Sequence, residues 1–363
     1  MNRVPARVPP ELKALAVILG TAVFAAAIVS FATAGHGRSV SQHPGHSVKS
    51  RKASAVVPGP FTGLPTASAI AHRRPVAVII DNLYPDARPQ AGLSQASVVI
   101  ETLVESGITR LMGLFLEHDA NRVGPIRSAR PYFVRWADGY SSVFVHGGGS
   151  PAALNLIKRI SGIVDIEALA SRPEFTRARD RNEPDNLYSS TQAIRGLENG
   201  TGSPLTANFA PLAHKADAPP SARGPGQPIR IDFSTPLISS PPEYKVTYRY
   251  EPRKNQYLRA DGGEAFVDQL TNRQIETNNV AILITNVAPI PGDAQQRVSV
   301  MSVGQGQAIY FRDGKAVRGI WEKRSAGSAI RFLDNNGRDV KFNKGRIWIE
   351  VVPPGAVQSG APP

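Results

Sequence analysis

Three runs of this 363-residue chain are apolar at nearly every position instead of at alternate ones: Pro75–Ile80, Ala96–Ile100 and Leu111–Leu116. Successive side chains of a strand point to opposite faces, so a run without a polar face has to be covered on both sides. Two helical patterns follow, Phe133, Trp136, Ala137 and Tyr140 after Pro131, then Ala153, Leu156, Ile157 and Ile160 after Pro151. Together these features predict an α/β domain over residues 69–200, its sheet covered on both faces.

The remainder divides by composition. Residues 1–13 carry Arg3, Arg7 and Lys13, and Ala14 to Ala34 is a run of twenty-one residues without a charge, long enough to cross a bilayer. It reads as a retained transmembrane signal anchor with the N-terminus inside, or as a signal peptide cut after Ala32-Thr33-Ala34. Residues 35–68 lack apolar periodicity and are expected to form a flexible linker. Residues 201–227, rich in Pro and Ala, mark either a domain boundary or a long surface excursion. Residues 228–353 read as a mainly β domain, from the period-two run Tyr244–Tyr250, the buried run Val280–Ile284 and the hairpin turns Asp313-Gly314 and Asn336-Gly337. Residues 354–363 are expected to be a disordered tail.

The α/β half contains two junctions at which an apolar strand passes through a glycine turn into a helix. The first is Val123-Gly124-Pro125-Ile126-Arg127-Ser128-Ala129-Arg130-Pro131, with Ser128 as the expected N-cap. The second is Val143-Phe144-Val145-His146-Gly147-Gly148-Gly149-Ser150-Pro151, with Ser150 as N-cap and Pro151 at N1. Helix N-termini attract anions, and Arg127 and Arg130 placed there call for one. That anion is either a ligand or an Asp or Glu of the protein itself.

Three acids are candidate catalytic groups. Asp81 ends the first apolar strand, while Glu101 and Glu105, four residues apart, share one face of the next. Acids converging with arginines suit general acid/base hydrolysis of a glycosidic or phosphate bond. The competing expectation is a structural network in which Glu101 or Glu105 neutralises Arg110, Arg127 or Arg130. The ligand-binding set is Arg88, Arg110, Arg127, Ser128, Arg130, His146, Gly148, Gly149 and Ser150. It contains no complete set of nucleophile, base and orienting group, which favours binding over catalysis. Ser150 lacks a nucleophile-elbow context, so capping is its expected role.

Several classes are disfavoured. The chain has no cysteine, which removes disulfides, thiolate zinc sites and a lipid-bearing cysteine. Its seven histidines show no metalloprotease spacing, so no metal is expected. No Gly-Lys-Ser/Thr or dinucleotide fingerprint follows the glycines, and no cofactor is expected. The net charge of +13 is scattered without a nucleic-acid motif, so anionic lipid or an acidic wall polymer is the better match among polyanions. Trp321 and Trp348 lie on strand-like segments where core packing is the expected use.

Beyond these local readings, Arg74-Pro75-Val76-Ala77-Val78, Asp81-Asn82, Ala87-Arg88-Pro89-Gln90-Ala91-Gly92-Leu93-Ser94-Gln95-Ala96, Gly107-Ile108-Thr109-Arg110-Leu111-Met112, Gly124–Pro131, Gly148-Gly149-Ser150-Pro151, Asn186-Leu187-Tyr188, Gly319-Ile320-Trp321-Glu322-Lys323 and Gly345-Arg346-Ile347-Trp348-Ile349 follow one another along the chain. In these segments the chain resembles the YerB-like lipoproteins, a bacterial family. The resemblance implies an envelope component outside the cytoplasmic membrane with two adjoining domains. Here the lipobox cysteine is missing, and Asp185 stands where the family often has histidine. The combined expectation is a single-pass membrane protein with extracytoplasmic domains. Its expected partner is an anionic wall glycan, a peptide carboxylate or an envelope protein, held in an arginine-rich cleft; the alternative is a wall-polymer hydrolase using Asp81, Glu101 and Glu105.

Overall fold

The computed structural model describes residues 55–170 and 172–359. The anchor expected at 14–34, the segment before it, the linker up to residue 54 and the last four residues lie outside the described residues. Among the described residues no helix is long and apolar enough to cross a membrane.

The first half supplies β1 (Val76–Asp81), β2 (Val98–Leu103), β3 (Thr109–Phe115), β4 (Val143–His146) and β5 (Val164–Glu167). Its helices are α1 (Pro131–Asp138), α2 (Pro151–Ile157) and α3 (Thr191–Asn199). The second half supplies β6 (Ile229–Ile231), β7 (Val246–Glu251), β8 (Gln256–Asp261) and β9 (Asn279–Ile284). It continues with β10 (Gly304–Arg312), β11 (Lys315–Lys323), β12 (Arg331–Asp334), β13 (Ile347–Val352) and β14 (Val357–Ser359).

The two halves share one ten-stranded sheet in the order β12-β11-β10-β9-β13-β2-β3-β1-β4-β5. Its seam is the parallel pairing of β13 with β2, in register from Ile347 with Val98 to Glu350 with Glu101. The three apolar runs become β1, β2 and β3, all fully buried, as two-sided strands must be. They pair with one another antiparallel, whereas β1–β4 and β4–β5 are parallel, through crossovers bearing α1 and α2, as is β9–β13 in the second half. Mixed pairing and short helices make the described chain mostly β, a coarser class than the α/β expectation for the first half.

A smaller sheet runs Glu264–Ala265, β8, β7, β6, β14, with Glu276–Thr277 also on β8. The two-residue turn Asp313-Gly314 joins β10 to β11 with φ of 52° and 66°, the conformation its sequence predicts. Trp321 and Trp348 are core residues, 3% and 1% exposed.

Three boundaries are corrected. Ordered chain starts well before Ile70: Val56–Pro58 pairs with Pro65–Ala67, and Phe61 is fully buried against Tyr140 and Phe209. A single large aromatic in an otherwise polar stretch escapes any periodicity test. Residues 201–227 form the surface excursion, strapped down by Phe209 on Phe61, by His214–Lys215 pairing with Phe342–Asn343, and by Gly224 N–H on the Asp313 carbonyl. The tail is structured as far as Ser359, because β14 closes the edge of β6 and satisfies backbone groups there.

Candidate functional site

The two glycine junctions lie side by side. The Ile126 and Arg127 amides donate to the carbonyls of Leu187 and Ile79, which holds the first junction against the end of β1. The Gly147 amide donates to the Arg127 carbonyl and the Ala129 amide to that of Gly148, so the second junction is zipped to the first. Gly124 has φ +145°, and a Cβ there would stand 2.7 Å from the Leu187 carbonyl oxygen; only glycine passes at this point.

This placement sets Arg127 Nε 2.7 Å from Asp81 Oδ2, while Asp81 Oδ1 accepts from the amides of Asn82 and Leu83. Asp185, on the loop between β5 and α3, brings a second carboxyl beside Asp81, 3.9 Å from Arg127 Nη1. Burial raises both acids, but the environment splits them. Arg110, the neighbouring Asp185 carboxyl, Arg127 and the Asn82 amide overcome burial and hold Asp81 below its ordinary value. Burial and the neighbouring Asp81 carboxylate push Asp185 up to about 7. The two carboxyls therefore hold one proton between them near neutral pH.

Glu105 lies in a second cluster, 2.8 Å from Arg110 Nη2 and 2.5 Å from Arg130 Nη2. Burial raises it, but the two guanidiniums win and keep it ionised. Arg110 also donates to the Ser128 carbonyl, and Ser128 Oγ donates to the Gly147 carbonyl. Ser128 is thus no helix cap: the N-cap of α1 is Arg130, without a side-chain cap, because the helix begins at Pro131.

Glu101 is fully buried at the seam, accepting from Thr109 Oγ1 at 2.7 Å and lying 2.6 Å from Arg259 Nη2. Arg259, fully buried on β8, also meets Glu350 at 2.7 Å and Asp261 at 2.8 Å. Its guanidinium stacks 4.3 Å from the Trp348 ring. Glu101 therefore belongs to an internal network with no surface for a substrate. Arg88 is likewise engaged, donating to Asn82 Oδ1 and the Glu243 carbonyl and pairing with Asp261 at 3.4 Å.

At the second junction Ser150 Oγ accepts from the Ala153 amide at 3.3 Å, the capping role its sequence implies. The Gly148 amide donates to the Glu167 carboxylate at 3.0 Å, so the anion facing the glycine loop is the protein's own. Gly149 bridges to Ala129. His146, 1% exposed, is held by Asp165 at 2.9 Å and by the Gly148 carbonyl; burial lowers its pKa, but Asp165 and Glu167 more than restore it.

One open space remains where both junctions meet the hairpin of residues 287–300. This cavity of about 410 Å³ is lined by Arg130, Arg135, Arg297, Asp293, Tyr132 and Ser150 among others. Arg297 pairs with Asp293 at 2.6 Å and Arg130 with Glu105, whereas Arg135 has no hydrogen bond or ion pair among the described residues.

Comparison with known proteins places this arrangement in a family. Residues 61–203 match the N-terminal domain, and residues 238–349 the C-terminal domain, of the protein family of unknown function DUF3048. The chain belongs to the DUF3048 family. It is 33% identical over 297 residues to the Bacillus subtilis (strain 168) protein named "Putative lipoprotein YerB", covering 81% of this chain and 86% of that protein. The crystal structure of YerB protein from Bacillus subtilis superposes with a TM-score of 0.72 at 31% identity, over 82% of this chain and 96% of that one. The two DUF3048 matches meet at the β2–β13 seam.

Of the expected site residues, Asp81, Arg127, Ser128, Gly148 and Gly149 gather at the zipped junctions, and Arg130 and Ser150 open onto the cavity. Glu101 and Arg88 belong instead to the network at the seam. Sequence reasoning missed Asp185 as a partner of Asp81, together with Arg135, Arg259, Arg297 and Glu350. Alternation alone misleads at Arg259: the apolar Leu258 and Ala260 lie on the opposite face of its strand, yet Tyr257, Arg259 and Asp261 form the more buried face. The single mark on Asp185 was that it stands where the family often has histidine, which did not point to Asp81.

Proposed function

We propose that this DUF3048 protein is an extracytoplasmic envelope component held at the membrane, and that it binds an anionic group of a wall glycan, peptide or envelope partner in the cavity between α1, α2 and the hairpin of residues 287–300. The observation that carries this reading is Arg135. Asp293 and Glu105 occupy the other two cavity arginines, so Arg135 supplies a positive charge without a counter-ion beside an apolar wall. Membrane association accords with the lipoprotein relative. This chain offers no cysteine for a lipid, so its tether is the uncharged run 14–34.

The test is co-sedimentation of the full chain with purified wall polymer. Arg135→Glu should abolish retention at low salt, and Arg249→Glu, at a 66% exposed side chain away from the cavity, should not. Equal retention of both variants would count against the site.

A second reading, hydrolysis of the same polymer, draws support from the Asp81–Asp185 pair, where one ionised and one protonated carboxyl stand beside Arg127. It predicts released fragments that disappear in Asp185→Asn.

A further inference from the structure

A second cavity, of about 400 Å³, shares no lining residue with the arginine-lined one. Its walls come from the segment of residues 84–90 and from the hairpin tip after β8. They include Tyr84, Arg88, Gln90, Glu243, Glu264 and Phe266, with Asp261 between them. Gly262, at φ +58°, lets the hairpin turn so tightly that a Cβ there would stand 3.0 Å from Glu243 Cα. This close approach brings Glu243 and Glu264 to the same lip.

The charge at this cavity is opposite to that of the chain. One guanidinium, Arg88, faces three carboxylates, those of Glu243, Asp261 and Glu264, in a protein of net charge +13. Asp261 is consumed by Arg88 and Arg259. Glu243 and Glu264 have no hydrogen bond or ion pair to their carboxylates among the described residues. Gln90 adds an independent sign. It is fully buried, and its amide nitrogen is committed to the Asp81 carbonyl at 2.9 Å and Asn82 Oδ1 at 2.8 Å. Its Oε1 is thereby left without a partner in the cavity wall. Unused acceptors line the space; its side-chain donors include the Arg88 guanidinium, paired with Asp261, and the amide of Asn272. The apolar part of the wall, Tyr84, Phe266, Ala265 and Val267, suits a methylene stem, while the Arg88 guanidinium already lies over the Tyr84 and Phe266 rings at 5.7 and 5.5 Å.

We propose that this cavity binds a primary alkylammonium group, such as the side chain of a lysine-type residue. The ammonium donates to Glu264, Glu243 and, at depth, Gln90 Oε1, while its stem lies along Tyr84 and Phe266. The site is independent of the anion-binding cavity: loss of polymer retention in Arg135→Glu bears on that cavity alone.

The experiment is isothermal titration calorimetry of the full chain with Nα-acetyl-lysine methylamide, with its Nε-acetylated derivative and with 1,5-diaminopentane. The expected result is saturable binding of both amines, none of the Nε-acetylated probe, and weakening with added salt. Glu264→Gln and Tyr84→Ala, each at an exposed position, should weaken binding by about tenfold without unfolding the chain. Tighter binding of the diamine than of the lysine probe identifies a free diamine as the source, and the reverse order a peptide-borne amine. Absence of saturable heat, equal binding of the Nε-acetylated probe, or wild-type affinity in both variants overturns the proposal.

Discussion

Glu101 and Glu350 face each other as register partners on adjacent parallel strands, and the Arg259 guanidinium touches both, at 2.6 and 2.7 Å. The two carboxylates come from opposite halves of the chain, and Arg259 comes from the smaller sheet. One guanidinium thus ties both halves and both sheets together where none of the three side chains meets water. Burial and the charge on Glu101 drive Glu350 well above the ordinary carboxylate range despite Arg259, while Arg259 itself is held charged.

Arg259→Met should destabilise the protein by about 3–5 kcal/mol, because it leaves Glu101 and Glu350 buried without their ion-pair partner and Asp261 with Arg88 alone. Adding Glu101→Gln and Glu350→Gln to Arg259→Met should recover part of that loss, since neutral amides cost less to bury. Urea unfolding of the single and triple variants measures both. A triple variant less stable than the single one would mean that the network's worth lies in its shape and not in its charge.

Stability should respond to pH through Asp185. Its folded value, about 7, lies above the ordinary 3.8, so the folded state binds its proton more tightly than the unfolded one. That contribution is complete below about 4 and is lost as pH rises through 7. Asp81 has the opposite sign: its lowered value gives stability that is present above 3.8 and lost on acidification. The wild type should therefore lose stability relative to Asp185→Asn between pH 4 and 7. Denaturant midpoints across that range give the difference, and parallel curves would show that the two carboxyls do not share a proton.

Phe61→Ala should cost about 3–5 kcal/mol, since the ring is completely buried between Tyr140 and Phe209. A chain trimmed to begin at Ile70 should show the same loss, and one beginning at Ala55 should not. Thermal unfolding of the two trimmed forms separates an ordered strap from a dispensable linker.

Much of the scaffold was legible in local pattern. The runs that became β1, β2 and β3 lack a polar face, Asp313-Gly314 has the turn chemistry of a two-residue hairpin, and Ser150 before Pro151 is a cap with its helix start. Each of these depends on interactions within a few residues. The mixed pairing was not legible, because an apolar run tells that both faces are covered but not which strand lies beside it. The site was legible as composition only: Arg110, Arg127 and Arg130 demanded anions, and the structure supplies Glu105 and Asp81 for them.

The sequence by itself determined the two-sided burial of the central strands, the helix start at Pro151, the absence of thiol chemistry and the uncharged run 14–34, because these follow from residue type and short-range spacing. Only the tertiary structure decided that β13 joins β2, that Arg259 serves three carboxylates, that Asp185 reaches Asp81 and that Arg135 has no ion-pair partner among the described residues. The physical reason is that charge pairing acts through space. Apart from Asp261, two residues from Arg259, dozens or hundreds of residues of chain separate these partners, and the fold alone sets which of many possible pairs comes within hydrogen-bonding distance.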